Sequence, residues 1–141
     1  MSLSRHVARL CIALAMASCA ATASADVVAV VSSQSAVSNL TRSQVSDIFL
    51  GKARRFPNGV AAVPIDQAVG SAAREEFYET FASKSPAQLK AHWSKIIFTG
   101  RGQPPAAISD STELKKRIAA DPTAIGYLDR TQLDASVREI R

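Results

Sequence analysis

A segment that joins a predicted strand to a predicted helix holds the residues best suited to chemistry. It reads Asp66-Gln67-Ala68-Val69-Gly70-Ser71-Ala72-Ala73-Arg74. A glycine and a serine at such a junction let backbone amides point outward beside a hydroxyl, and the helix N-terminus adds roughly half a positive charge. Arg74 would lie in the first turn, where a cation opposes the helix dipole unless a negative charge lies nearby. The segment therefore predicts an oxyanion-binding site.

A purely structural interpretation of the same segment is open as well. Ser71 is a favourable N-cap residue, and Gly70 suits a turn. Arg74 would then pair with Asp66 or with the acidic residues that follow it in the helix. The residue types alone do not separate this interpretation from anion binding.

Two other basic or glycine-containing segments are further anion candidates. One is the pair Arg54-Arg55 in a predicted turn, and the other is the loop from Thr99 to Gly102. For both, the alternative is an ordinary solvated surface.

The sequence argues against an enzyme. It contains no H-E-x-x-H, C-x-x-C, G-x-S-x-G or P-loop string. After residue 25 the only histidine is His92, which lies beside Trp93 in a predicted helix and suits a structural role. The acidic residues are dispersed. We therefore expect no catalytic residues, no metal site and no cofactor.

Residues 1–25 have the order of a secretory signal peptide. Arg5 and Arg9 precede an apolar stretch from Leu10 to Met16, and small residues lead to Ala23-Ser24-Ala25, an A-x-A cleavage site. The apolar stretch is far shorter than the ~20 residues that span a bilayer, so we do not expect a membrane-spanning helix. The expected location is the periplasm.

Met16-Ala17-Ser18-Cys19 offers a second processing route, because it resembles a bacterial lipobox. Modification at Cys19 would deliver the protein as a lipoprotein instead of a soluble one.

Cleavage after Ala25 would leave residues 26–141, enough for one domain. Both cysteines lie before the cut, so this domain has no disulfide. Removing Arg5 and Arg9 from the 17 basic residues leaves 15 against 12 acidic ones. A mild, scattered excess suits a small anion and lacks the dense basic stripe of a nucleic-acid-binding protein.

Apolar runs that alternate with capped helices predict an α/β domain. Helix starts are indicated at Thr41, Ser71, Ser85 and Asp110. Strands are predicted at 27–31, 60–65, 124–128 and 137–140, with Pro64 placing the second at an edge or an end of the sheet.

Three of these segments resemble the PstS-type phosphate-binding proteins of ABC transporters. The residues from Leu40 to Lys52, LTRSQVSDIFLGK, are similar to a long helix motif of that family. Ala124-Ile125-Gly126-Tyr127 is similar to its A-I-G-Y strand, and Gly70-Ser71 falls where the family has its phosphate-binding loop. The resemblance covers about Leu40 to Arg130.

The resemblance implies one lobe of a type II periplasmic-binding-protein-like fold, with a small mixed sheet flanked by helices. The chain is long enough for one lobe, whereas the family clamps phosphate between two. The family's loop has an arginine and an aspartate where this chain has Gln67 and Val69. Taken with the local chemistry, the resemblance predicts that phosphate or a related oxyanion is bound by Gly70, Ser71, Ala72, Arg74 and Gln67.

Two functions follow from the resemblance. The first is a periplasmic solute-binding role, with an ABC permease of a phosphate uptake system as a candidate partner. The second is a single-lobe module that has lost ligand binding and contacts another protein of the cell envelope. An exposed apolar patch on the former clamp face would favour the second.

Overall fold

The computed structural model describes residues 26–141. The predicted signal peptide at 1–25 and the lipobox at Cys19 lie outside the described residues. Among the described residues, none of the helices has the length and hydrophobicity needed to cross a bilayer.

Five strands form one mixed sheet, and four helices flank it. The strands in the order of the sheet are β3, β2, β4, β1 and β5. Strand β1 is antiparallel to both its neighbours, whereas β2 is parallel to β3 and β4. The elements in chain order are β1 (Val27–Ser32), α1 (Arg42–Phe49), β2 (Val63–Gln67), α2 (Ala72–Ala82), α3 (Pro86–Phe98), β3 (Ala106–Ile108), α4 (Ser111–Ala120), β4 (Ala124–Asp129) and β5 (Val137–Glu139).

Helices cover both faces of the sheet, which explains the continuous apolar run of β1. Val27, Ala29 and Val31 pack with the residues of α1, α2 and α3, whereas Val28 and Val30 pack toward α4 on the other face. Every residue of β1 is buried. A strand buried on both faces needs apolar side chains at successive positions.

Stacked aromatic rings join the sheet to two helices. The ring of Phe77 in α2 lies parallel to that of Tyr127 in β4, with centroids 4.0 Å apart. Phe49 of α1 meets Phe77 edge-on at 4.7 Å. The Ile-Phe pair of the α1 motif is therefore core, with Ile48 and Phe49 at most 2% exposed.

The predicted N-caps are confirmed. They were predictable because each depends on residues two or three positions apart. Thr41 and Ser85 form capping boxes with Gln44 and Gln88, and Ser71 and Asp110 accept a hydrogen bond from an amide of their helix. Gly51 follows α1 with φ +74°, as its position at the end of the motif predicts.

The second strand was predicted at 60–65 and lies at Val63–Gln67 instead. Val60 belongs to a turn, in which its amide donates to the Asn58 side chain and its carbonyl accepts from the Phe56 amide. Pro64 lies near the beginning of β2, before the pairing with β3 starts at Ile65. The predicted position of this strand at an edge or an end of the sheet is wrong, because β2 lies between β3 and β4.

Gly126 lets α4 approach the sheet closely, so replacing it with alanine should destabilise the fold. A Cβ at Gly126 would lie 2.4 Å from Cδ1 of the buried Ile118 side chain. We expect Gly126→Ala to lower the free energy of unfolding by about 1–3 kcal/mol, as overpacking does. Denaturant titration measures the change. Gly102→Ala is the control, since its Cβ would lie at an ordinary 3.7 Å from Ile96, and an equal loss there would refute this explanation.

Candidate functional site

The candidate site lies where β2 ends and α2 begins. Because β2, β3 and β4 are parallel, their carboxyl ends share one edge of the sheet. The amide of Ser71 donates to the carbonyl of Ala68 at 3.1 Å, which closes a turn. Gly70 in this turn has φ +88°, a conformation that L side chains rarely adopt. The turn places Ser71 at the beginning of α2.

The start of α2 exposes unused backbone donors. We call residues 70–73 the α2 start. Within residues 26–141, the amides of Gly70, Ala72 and Ala73 donate no hydrogen bond to the protein. Gly70 and Ala72 are exposed, so no other segment in that range covers them. Ser71 Oγ accepts from the Arg74 amide at 3.2 Å, which leaves the hydroxyl hydrogen available.

Gln67 is placed differently from the other predicted ligand residues. Its side chain is buried, and Nε2 donates to the carbonyl of Tyr127 at 2.9 Å. The Gln67 amide therefore links β2 to β4. One of the two hydrogens on Nε2 is therefore used within the protein.

A buried carboxylate just before Gln67 organises the region, and the sequence analysis did not foresee it. Asp66 is 3% exposed and accepts hydrogen bonds from the hydroxyls of Tyr78, at 2.7 Å, and Tyr127, as well as from the Gln67 amide. Tyr78 and Tyr127 are the two tyrosines of the chain. The sequence feature that could have indicated the burial of Asp66 is an acidic residue at the end of an apolar strand, with no basic residue beside it.

Arg74 is the cationic partner of Asp66. Its Nε lies 3.5 Å from Asp66 Oδ2, and its guanidinium lies over the Tyr78 ring, 5.2 Å from the centroid. The Arg74 side chain is 13% exposed. Asp66 thus supplies the negative charge that a cation in the first turn requires, as the structural interpretation of Arg74 anticipated.

The other two anion candidates lie together. Arg54 Nη2 donates to the carbonyl of Arg101 at 3.3 Å, and both arginines line a cleft of about 270 Å³ beside Trp93. Arg55 instead bonds to the carbonyl of Gly59 in its own turn. We call the cleft lined by Arg54 and Arg101 the arginine cleft.

His92 contacts the backbone of a neighbouring helix end. A ring nitrogen of His92 lies 2.9 Å from the Leu50 carbonyl, which ties α3 to the end of α1. Among residues 26–141, no group of three or more histidine, cysteine or acidic side chains could hold a metal ion.

The chain is similar in structure to several proteins that are named for phosphate binding or transport. A phosphate ABC transporter substrate-binding protein from Clostridium perfringens, solved with bound phosphate, matches with a TM-score of 0.63 and 22% identity over 82% of this chain and 44% of that one. An ABC-type phosphate transport receptor from Vibrio cholerae matches with a TM-score of 0.64 and 18% identity over 82% and 45%. PstS from Borrelia burgdorferi gives 0.58 and 11% over 82% and 47%.

The chain has the fold of one lobe of a periplasmic binding protein. The predicted fold class is therefore confirmed, together with the structural resemblance to PstS-type proteins. The chain spans less than half the length of these three neighbours. No protein-family model and no curated protein matches the sequence. At these identities the likeness establishes the fold and leaves the ligand to be argued from the site.

The tyrosines should resist ionisation for as long as the protein is folded. Burial, and then the charge of Asp66, raises the pKa of the Tyr78 and Tyr127 hydroxyls well above the usual value of about 10. The folded protein therefore holds protons that the unfolded chain releases. This contribution to stability is complete below pH ~10 and is lost as pH rises above it.

Absorbance of tyrosinate, followed across alkaline pH together with circular dichroism, measures this effect. We expect tyrosinate to form only as the fold is lost, and near pH ~10 in denaturant. Ionisation of both hydroxyls near that pH with the fold intact would contradict the hydrogen-bonding scheme around Asp66.

Proposed function

We propose that this protein is an exported, non-enzymatic binding protein that holds phosphate or a similar tetrahedral oxyanion at the α2 start. The observation that carries the proposal is the open set of amides at Gly70, Ala72 and Ala73 beside the Ser71 hydroxyl. Amides at a helix N-terminus, together with the helix dipole, attract anions. The lobe fold shared with phosphate-binding proteins supports the same ligand class.

The α2 start can supply only part of a binding site. Asp66 offsets the charge of Arg74, and the Gln67 side chain donates to Tyr127, so neither side chain is part of the proposed anion site. The anion is held by backbone amides, one hydroxyl and the dipole. Binding on one lobe leaves the anion in contact with water. We therefore expect affinity in the millimolar range, equivalent to about 4 kcal/mol, and a marked loss of affinity with added salt.

The cellular setting is part of the proposal. Residues 1–25 direct export to the periplasm, with lipid modification at Cys19 as the alternative. A lobe that binds phosphate weakly would serve with a partner that covers the anion, and an ABC permease or another envelope protein fits that position. Mass spectrometry of the mature N-terminus distinguishes the two processing routes.

Substitutions in the first turn of α2 test the anion site. Ala72→Pro removes one free amide at the helix position that tolerates proline best, and Ser71 already has the extended conformation that precedes proline. Ser71→Ala removes the hydroxyl. Each variant should weaken phosphate binding at least about tenfold, since a hydrogen bond to a charged group contributes ~1.5 kcal/mol or more. Calorimetry with phosphate and with sulfate measures the affinity.

Ser85→Ala is the matched control. Ser85 caps α3 as Ser71 caps α2, because each Oγ accepts an amide hydrogen bond at 3.2 Å. Pro86 follows Ser85, so the first helical position there has no N–H. Loss of the cap should cost each protein about 1 kcal/mol, whereas only Ser71→Ala should affect the anion. If millimolar phosphate gives no saturable heat, or Ala72→Pro binds it normally, the proposal fails.

One observation favours the second function, an interaction module of the cell envelope. Phe98 at the end of α3 is 92% exposed, and its neighbour Ile97 is 46% exposed. Covering such an exposed aromatic side chain with another surface is favourable, because it removes apolar area from water. A protein partner, or a second copy of the chain, would supply that surface.

Phe98→Ser tests the interaction module. If contact through Phe98 drives association, the parent protein should form dimers or larger species in analytical ultracentrifugation, and Phe98→Ser should be monomeric. The substitution should leave stability nearly unchanged, because the ring packs little within the domain. Val60→Ser, at a side chain 40% exposed in the turn before β2, is the control. A strictly monomeric parent protein would leave self-association without support.

A further inference from the structure

A large cleft beside α3 is not used by the α2 start. Its volume is about 650 Å³, within the range of about 300–1,000 Å³ typical of small-molecule sites. It is lined by residues of α3, by Pro104 and Pro105 before β3, by Ala107 in β3, and by residues between Asp66 and Arg74. We call this space the α3 cleft.

The walls of the α3 cleft are mainly apolar. Leu89, Trp93 and Ile97 are spaced four residues apart and so share one face of α3. The rings of Pro104 and Pro105 also line the cleft. Inorganic phosphate has no apolar surface to bury against such walls, whereas a hydrocarbon chain or ring does.

The charged residues that line the α3 cleft carry a net positive charge. The charged lining residues are Asp66, Arg74 and Lys90, two cations against one anion. Within residues 26–141 the guanidinium of Arg74 makes no hydrogen bond, and its Nε is buried. Arginine donors match carboxylate and phosphate oxygens, so the guanidinium of Arg74 can donate to an anion in the cleft while its charge stays beside Asp66.

We propose that the α3 cleft binds a small amphipathic organic anion. Its acidic head accepts hydrogen bonds from Arg74, with Lys90 adding positive charge, and its apolar body lies along Leu89, Trp93 and Ile97. Asp66 remains bonded to the two tyrosine hydroxyls and keeps Arg74 in place. This site goes beyond the phosphate proposal, because neither Ser71 nor Ala72 lines the cleft.

The chain carries its own reporter for this site. Trp93 is its single tryptophan and lines the cleft, so its fluorescence can follow binding. The probe is hexylphosphonate, titrated into the full protein beside hexanol and inorganic phosphate at equal concentrations. We expect a saturable change in Trp93 emission with hexylphosphonate alone. If hexylphosphonate gives no saturable change, or hexanol reproduces it, the proposal is overturned.

Two substitutions locate the probe. Arg74→Gln should weaken hexylphosphonate binding at least tenfold. Ile97→Glu, at a half-exposed position that tolerates a polar residue, should do the same by placing a negative charge on the apolar wall. The second variant keeps the test decisive if Arg74→Gln does not fold. Unchanged affinity in folded Ile97→Glu would refute the site.

Arg54→Gln is the control for position. Arg54 lines the arginine cleft, which Trp93 also borders. Binding in the α3 cleft predicts normal affinity for this variant, and a loss equal to that in Arg74→Gln would assign the probe to the arginine cleft and overturn the proposal. Phosphate calorimetry at the α2 start is a separate measurement, so either proposal can fail while the other stands.

Discussion

The carboxylate of Asp66 must be satisfied inside the protein, and the arrangement of β2, β4 and α2 depends on that requirement. A buried charge without partners costs several kcal/mol. Here the partners come from three elements: Tyr127 from β4, Tyr78 and Arg74 from α2, and the amide of Gln67 from β2 itself. The hydroxyls bind the same carboxylate while the Tyr127 ring stacks on Phe77. Polar and aromatic contacts thus fix α2 against the sheet together.

The same interaction divides the possible binding surface in two. The guanidinium of Arg74 lies beside Asp66 and the Tyr78 ring and not among the amides of the α2 start. Arg74 also lines the α3 cleft. The α2 start retains amides and a hydroxyl but no side-chain cation. An anion that needs only hydrogen bonds suits the first surface, and an anion with an apolar body suits the second. One buried ion pair therefore accounts for both proposals.

Local sequence patterns made the helix starts and the first strand predictable. The caps at Thr41, Ser71 and Ser85 depend on residues three positions apart, and the run of β1 depends on burial of both faces. Contacts between distant residues were not predictable in the same way. Asp66 meets Tyr127 across 61 positions, and β3 is three residues long with no pattern of its own. Gln67 was predicted to be a ligand from its position in the sequence alone. Its hydrogen bond to Tyr127 joins distant residues and could not be predicted in that way.

The kind of donor at the α2 start limits what the lobe can distinguish. Phosphate near neutral pH carries a proton and sulfate does not, so a site selects phosphate by offering an acceptor for that proton. The α2 start offers amide hydrogens and the hydroxyl of Ser71, whose oxygen already accepts from the Arg74 amide. The nearest buried carboxylate, Asp66, accepts from two tyrosines and an amide. If the proposed anion site is correct, the lobe alone would recognise tetrahedral oxyanions as a class, and selection among them would require an acceptor from whatever covers the anion.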